Sequence, residues 1–143
     1  MDKQPAYRIA LLSVHAEYAD ALVKGTKTVE FRKRPLAPDV THVALYATHP
    51  VARVVAVFTV REQIIDSPQR LWRQFRNVAG IPKIKFLDYY EGCTRGVGIR
   101  VGELVSLDGH VTLQEAFGIS RPPQSFQYFA PHQAGSRLAG ALT

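Results

Sequence analysis

Residues 25–32 read Gly25-Thr26-Lys27-Thr28-Val29-Glu30-Phe31-Arg32. Tyr18, Ala19, Leu22 and Val23 precede them at helical spacing, so Gly25 stands where a glycine beyond the last turn ends a helix. From residue 27 to 33 polar and apolar side chains alternate, which predicts a strand with Val29 and Phe31 on one face and Thr28, Glu30 and Arg32 on the other. A helix thus runs directly into a half-buried strand whose second face is charged. In an ideal strand Lys27 points away from Glu30. It joins Glu30 and Arg32 only if residues 26–27 still belong to the turn, or if a bulge intervenes.

Upstream, residues 7–14 (YRIALLSV) form an apolar, β-rich run that reads as a buried strand. Ser13 is placed to cap the helix over residues 15–24. Downstream, residues 42–48 and 52–60 read as two strands of an antiparallel hairpin joined at His49-Pro50. Ser67-Pro68 is a helix start, with Leu71, Phe75 and Val78 on the apolar face of that helix and Arg70, Arg73 and Arg76 recurring on another. Gly80-Ile81-Pro82 breaks it, and a second helix follows over residues 83–91, stopped by Gly92. Residues 95–107 read as a long strand bent at its glycines, with a turn at Asp108-Gly109. Thr112 and Glu115 fit a capping box, and residues 124–129 supply a last extended stretch. Residues 132–143 are small and polar, so a frayed, flexible tail is expected.

The order of elements does not repeat as strand-helix-strand. It predicts an α+β fold, a mixed and largely antiparallel β-barrel of five or six strands with about three rim helices, in one domain over residues 1–131. At 143 residues and 46% hydrophobic, the chain can bury a core without metal or disulfide staples. The single cysteine, Cys93, has no partner for an intrachain disulfide, which fits a reducing compartment. Residues 1–5 are polar, and no apolar run matches a signal peptide or a bilayer span, so a cytoplasmic location without membrane contact is expected. The net charge of +6 favours polyanionic partners, though a merely basic protein has the same balance. His15, His42, His49, His110 and His132 show no metal-ligand spacing, so neither a metal nor a cofactor is expected.

The stretch from Gly25 to Arg32 resembles the ASCH family of the PUA-like superfamily, whose hallmark is G-x-K-x-x-E-x-R at such a helix-to-strand junction. The flanking Leu12-Ser13-Val14, Tyr46-Ala47-Thr48 and Pro122-Pro123-Gln124-Ser125-Phe126 are also similar to small bacterial members. The resemblance covers roughly residues 8–129. It implies a PUA-like barrel with a cleft beside the first helix, and RNA, another nucleic acid or a free or modified nucleoside or nucleotide as partner. Relatives that deacylate N4-acetylcytidine, and one with ribonuclease activity, make an amidohydrolase or ribonuclease the alternative. In the deacylating relatives a threonine stands three residues after the lysine, where this chain has Glu30, and the expected glutamate region, near residues 78–80, holds no carboxylate.

Lys27 offers a compact charge with three donors, and Arg32 a planar fork that suits a phosphate or a base edge. Glu30 can orient Arg32 or accept from a nucleobase amine. In an enzyme, Lys27 and Glu30 would carry the proton transfers. On residue type alone the same pattern also fits a solvated face with an ion pair worth little. Arg34, with Arg70, Arg73 and Arg76, forms basic clusters that suit phosphates, although a solvent-facing helix side has the same spacing. Tyr46 and Phe126 are candidate stacking groups, and Ser13, Gln124 and Ser125 candidate hydrogen-bonding groups of the cleft.

Overall fold

The structure, a computed structural model, describes residues 7–143; the polar stretch 1–5 lies outside them. Six strands, β1 (Arg8–Val14), β2 (Val29–Arg32), β3 (Val40–Ala47), β4 (Arg53–Asp66), β5 (Gly96–Val111) and β6 (Phe126–Phe129), form one sheet in the order β2-β5-β4-β3-β1-β6. Only β1 and β3 run parallel; every other neighbouring pair is antiparallel. The sheet is mixed and largely antiparallel, as expected. It curls into a half-barrel, with β2 and β6 as its two unpaired edges. Five short helices accompany it: α1 (Ala16–Lys24), α2 (Pro68–Phe75), α3 (Lys83–Tyr89), α4 (Leu113–Phe117) and α5 (Ser136–Ala139).

The continuous apolar run in β1 has a simple cause, since both faces of the strand are covered. Ala10, Leu12 and Val14 pack with Leu22 of α1 and Phe58 of β4 inside the curl. Ile9 and Leu11 point the other way, into a second core with Phe117 of α4 and Phe129 of β6. A third core lies under α2 and α3, where Val29 and Phe31 of β2 meet Leu71, Phe75, Phe86 and Tyr90. The two-residue alternation read in β2 therefore places one face of that strand under the helical insertion.

Local signals hold where a single residue type dictates the backbone. Gly25 adopts φ +81° and its N–H donates to the carbonyl of Leu22, closing α1. The Ser67 hydroxyl accepts from the amide of Arg70, and Thr112 with Glu115 forms the reciprocal capping box of α4. Three expectations change. Ser13 does not cap α1: it lies within β1, and His15 takes the cap position without a side-chain hydrogen bond. Asp108-Gly109 does not reverse the chain. β5 continues to Val111, and the pairing jumps from Ala56↔Ser106 to Val54↔Val111, so residues 107–110 loop out of the ladder, with positive φ at Gly109 and His110. Residues 132–143 do not read as a frayed tail: Leu138 of α5 is fully buried against the second core, and Arg137 pairs with Glu115 at 3.1 Å. Two leucines, Leu138 and Leu142, in a small, polar segment are too weak a pattern to read from sequence.

No helix among the described residues is long and apolar enough to cross a membrane. Leu138→Ala is expected to cost about 2–5 kcal/mol of unfolding free energy in a urea titration. A loss below about 0.5 kcal/mol, the scale of a surface substitution, would show that the C-terminal segment does not dock.

Candidate functional site

β2 is an edge strand, and its polar face looks across the open side of the curl towards β1 and the segment that leads into β6. Between them lies a cleft of about 580 Å³, within the range of small-molecule sites. Its wall includes Ser13, Lys27, Glu30, Arg32 and Gln124 from the sequence expectation, and His15, Tyr18, Thr48, Lys85, Asp88 and Tyr89 besides.

The turn after α1 settles the position of Lys27. Its amide donates to the carbonyl of Ala21, and β2 begins only at Val29, so Lys27 still belongs to the turn. Its side chain can therefore approach Glu30, and Nζ lies 4.0 Å from Glu30 Oε1. The other carboxylate oxygen, Oε2, lies 3.2 Å from Arg32 Nη2. One carboxylate thus sits between two cations, leaving a net positive floor. Lys27 is 2% exposed and Glu30 7%.

Lys27 Nζ donates to the carbonyl of Ala79 at 2.5 Å and lies 5.1 Å from the Phe31 ring and 5.5 Å from the Tyr18 ring. Burial pushes its pKa down, the Glu30 carboxylate opposes that, and Arg32 adds to the lowering. Burial also raises the pKa of the Tyr18 and Tyr89 phenols. Arg32 Nη2 donates to the Ser13 carbonyl at 2.8 Å, and Nη1 to Ser125 Oγ at 3.2 Å. Ser13 Oγ in turn donates to the Pro123 carbonyl at 2.7 Å, which holds the segment carrying Gln124 and Ser125. Ser125 therefore acts on the cleft through Arg32 and does not line it.

The other expected residues lie elsewhere. Tyr46 shares its face of β3 with Ala44, is buried in the second core and does not line the cleft wall. Phe126 packs against the first core and the Tyr128 ring, 5.2 Å away, outside the cleft wall. Arg34, Arg70, Arg73 and Arg76 are exposed and also outside that wall. The sequence expectation missed the contribution of α3. Lys85, Asp88 and Tyr89 stand at i, i+3 and i+4, so they share one helix side, while Phe86 and Tyr90 enter the third core. That spacing was readable; what was missing was the direction in which the helix docks.

This architecture, a curled mixed sheet with a polar cleft at its open side beside the first helix, is an α+β, PUA-like fold. The ASCH domain family model matches residues 12–105. The chain belongs to the ASCH domain family. A protein of Zymomonas mobilis named ASCH domain-containing ribonuclease is 31% identical over 131 residues, which cover 87% of this chain and 86% of that protein. The crystal structure of ASCH from Zymomonas mobilis matches with a TM-score of 0.79 at 26% identity, over 87% of this chain and 90% of that one. A serine-to-alanine mutant of that protein matches with a TM-score of 0.80 at 26% identity, over 94% and 96%.

The depressed pKa of Lys27 has a consequence for stability. Its amine holds a proton less tightly folded than unfolded, so the unfolded chain binds more protons between the lowered value and the ordinary 10.5. Stability contributed by this group rises with pH across that window. Parallel urea titrations of wild type and Lys27→Met are expected to show the wild type gaining on the variant as pH climbs towards 10.5. A difference that stays flat throughout would mean that the amine is solvated.

Proposed function

We propose that the chain binds RNA, with one nucleotide seated in the cleft against Lys27, Glu30 and Arg32. The observation that carries this reading is the recessed, net-positive floor: two cations share one carboxylate at the bottom of a hollow large enough for a base. Lys27 and Arg32 can donate to phosphate or base oxygens, Glu30 can accept from an exocyclic amine, and Tyr18 and Tyr89 offer rings in the wall. The exposed Arg34, Arg70, Arg73 and Arg76 supply charge along which a longer strand can run. The name of the Zymomonas mobilis relative supports RNA as the polymer. A free or modified nucleotide that competes for the same floor is the finer form of the proposal.

That name also favours a second reading, RNA cleavage. A 2′-hydroxyl would attack the adjacent phosphorus and expel the 5′-oxygen, leaving a cyclic phosphate and a 5′-hydroxyl. Glu30 would take the 2′ proton, Lys27 would return one to the leaving oxygen, and Arg32 would balance charge on the phosphoryl group. Deacylation of an N4-acylated cytidine has less support: residues 78–80 offer Lys27 a backbone carbonyl where that chemistry wants a carboxylate.

Binding of single-stranded RNA and DNA across a salt series tests the first reading. Log K is expected to fall linearly with log salt. Lys27→Ala and Arg32→Ala should each weaken binding by roughly 10- to 100-fold, the scale of one charged hydrogen bond. Weak binding that ignores both salt and these substitutions would overturn the assignment. For cleavage, Glu30→Gln should lose turnover even at saturating RNA; intact RNA after incubation with wild type would remove that reading alone.

A further inference from the structure

We infer that the corner formed by Val78, Ala79 and Gly80, after α2, is the positioning element that holds Lys27 at the floor of the cleft. The inference deepens the RNA-binding reading and rests on it for its functional consequence. Three contacts converge there. The Thr28 amide donates to the Val78 carbonyl at 3.1 Å, which ties the turn before β2 to the corner. Lys27 Nζ donates to the Ala79 carbonyl at 2.5 Å, which fixes the end of the side chain. Gly80 leaves room for the aliphatic stem: a Cβ there would lie 2.6 Å from Lys27 Cβ and 2.8 Å from Cγ and Cδ. Those atoms lie at the root of the side chain and cannot swing aside as a flexible tip would. Gly80 also adopts φ +61°, where a side chain is strained in any case.

The three contacts complement one another. A lysine amine has three donors on a flexible stem, and without a fixed acceptor it would extend towards solvent. The Ala79 carbonyl takes one donor, and Glu30, 4.0 Å away, adds attraction without a close hydrogen bond. Donor capacity remains for a ligand in the cleft. The insertion of α2 and α3 thus does more than cover Val29 and Phe31: its connecting corner aims the amine, while Lys85 and Tyr89 of α3 complete the wall above it. Ala79 and Gly80 lie outside the cleft wall and act through Lys27.

The test compares Gly80→Ala with Gly92→Ala. Gly92 also has positive φ, at +78°, but open space around its would-be Cβ, so it reproduces the backbone strain without the contact on Lys27. Pulse acetylation followed by mass spectrometry reads the accessibility of the Lys27 amine. Protection is expected in wild type and Gly92→Ala, with labelling several-fold faster in Gly80→Ala. Single-stranded RNA affinity should then fall in Gly80→Ala by about the factor seen for Lys27→Ala, roughly 10- to 100-fold, and should fall no further in the double variant. Should Gly80→Ala not fold, Gly80→Asn repeats the test, because asparagine tolerates positive φ and still carries a Cβ. Unchanged labelling in the Gly80 variant, or an equal loss of affinity in the presence and absence of Lys27, overturns the positioning role. Faster labelling with RNA affinity unchanged in both Gly80→Ala and Lys27→Ala leaves the corner as the clamp of Lys27 and removes the RNA-binding reading of the cleft.

Discussion

One guanidinium ties together the open side of this sheet. Arg32 stands on β2, at one edge, and donates to the Ser13 carbonyl on β1 and to Ser125 just before β6, at the other. Glu30, two residues back on the same strand face, holds the fork from behind at 3.2 Å. A rigid, always-charged fork suits this task because it can meet several acceptors at fixed angles. The cleft exists because the two edges are held near each other without joining their backbones. Arg32 Nε, buried and without a hydrogen-bond partner, is the cost of that geometry. A buried charge network of this kind is weak evidence for stability and better evidence that a defined polar surface is needed there.

The rest of the fold keeps β2 in place. Its apolar face is pinned by α2 and α3, with Phe31 and Phe86 at 4.9 Å in an edge-to-face arrangement. Its backbone is tied to β5, with Glu30 opposite Ile99 and Phe31 opposite Gly98. A Cβ at Gly98 would crowd Phe75 and Val29, so that glycine lets the helical insertion sit close to the sheet. Tyr90, at the end of α3, donates to the Arg32 carbonyl at 2.8 Å and so reaches the site from behind. Charged side chains on a short edge strand thereby gain the rigidity of a core element.

What the sequence made legible follows from where the physics is local. Gly25, Ser67 and the Thr112–Glu115 pair each satisfy helix-end groups within a few residues, so their roles can be read from type and spacing. The run in β1 and the alternation in β2 disclose how many faces are covered. Which partner covers them is not local. Tyr46 illustrates this: its strand is plain, yet its burial in the second core depends on how β3 sits against its neighbours. The proximity of Lys27 to Glu30 likewise turned on whether the strand began at residue 27 or 29, a two-residue difference that pattern alone does not resolve. The contribution of α3 and the docking of Leu138 both required knowing how a short helix is oriented against the sheet.

The most direct test of the account is an NMR titration of ¹⁵N-labelled protein with a short single-stranded RNA, following backbone amides. Shifts are expected to concentrate at Ser13, Lys27, Glu30, Arg32, Tyr89 and Gln124, around the cleft floor and its two edges. Shifts confined to the exposed arginines of α2, with the cleft amides unmoved at saturating RNA, would contradict it.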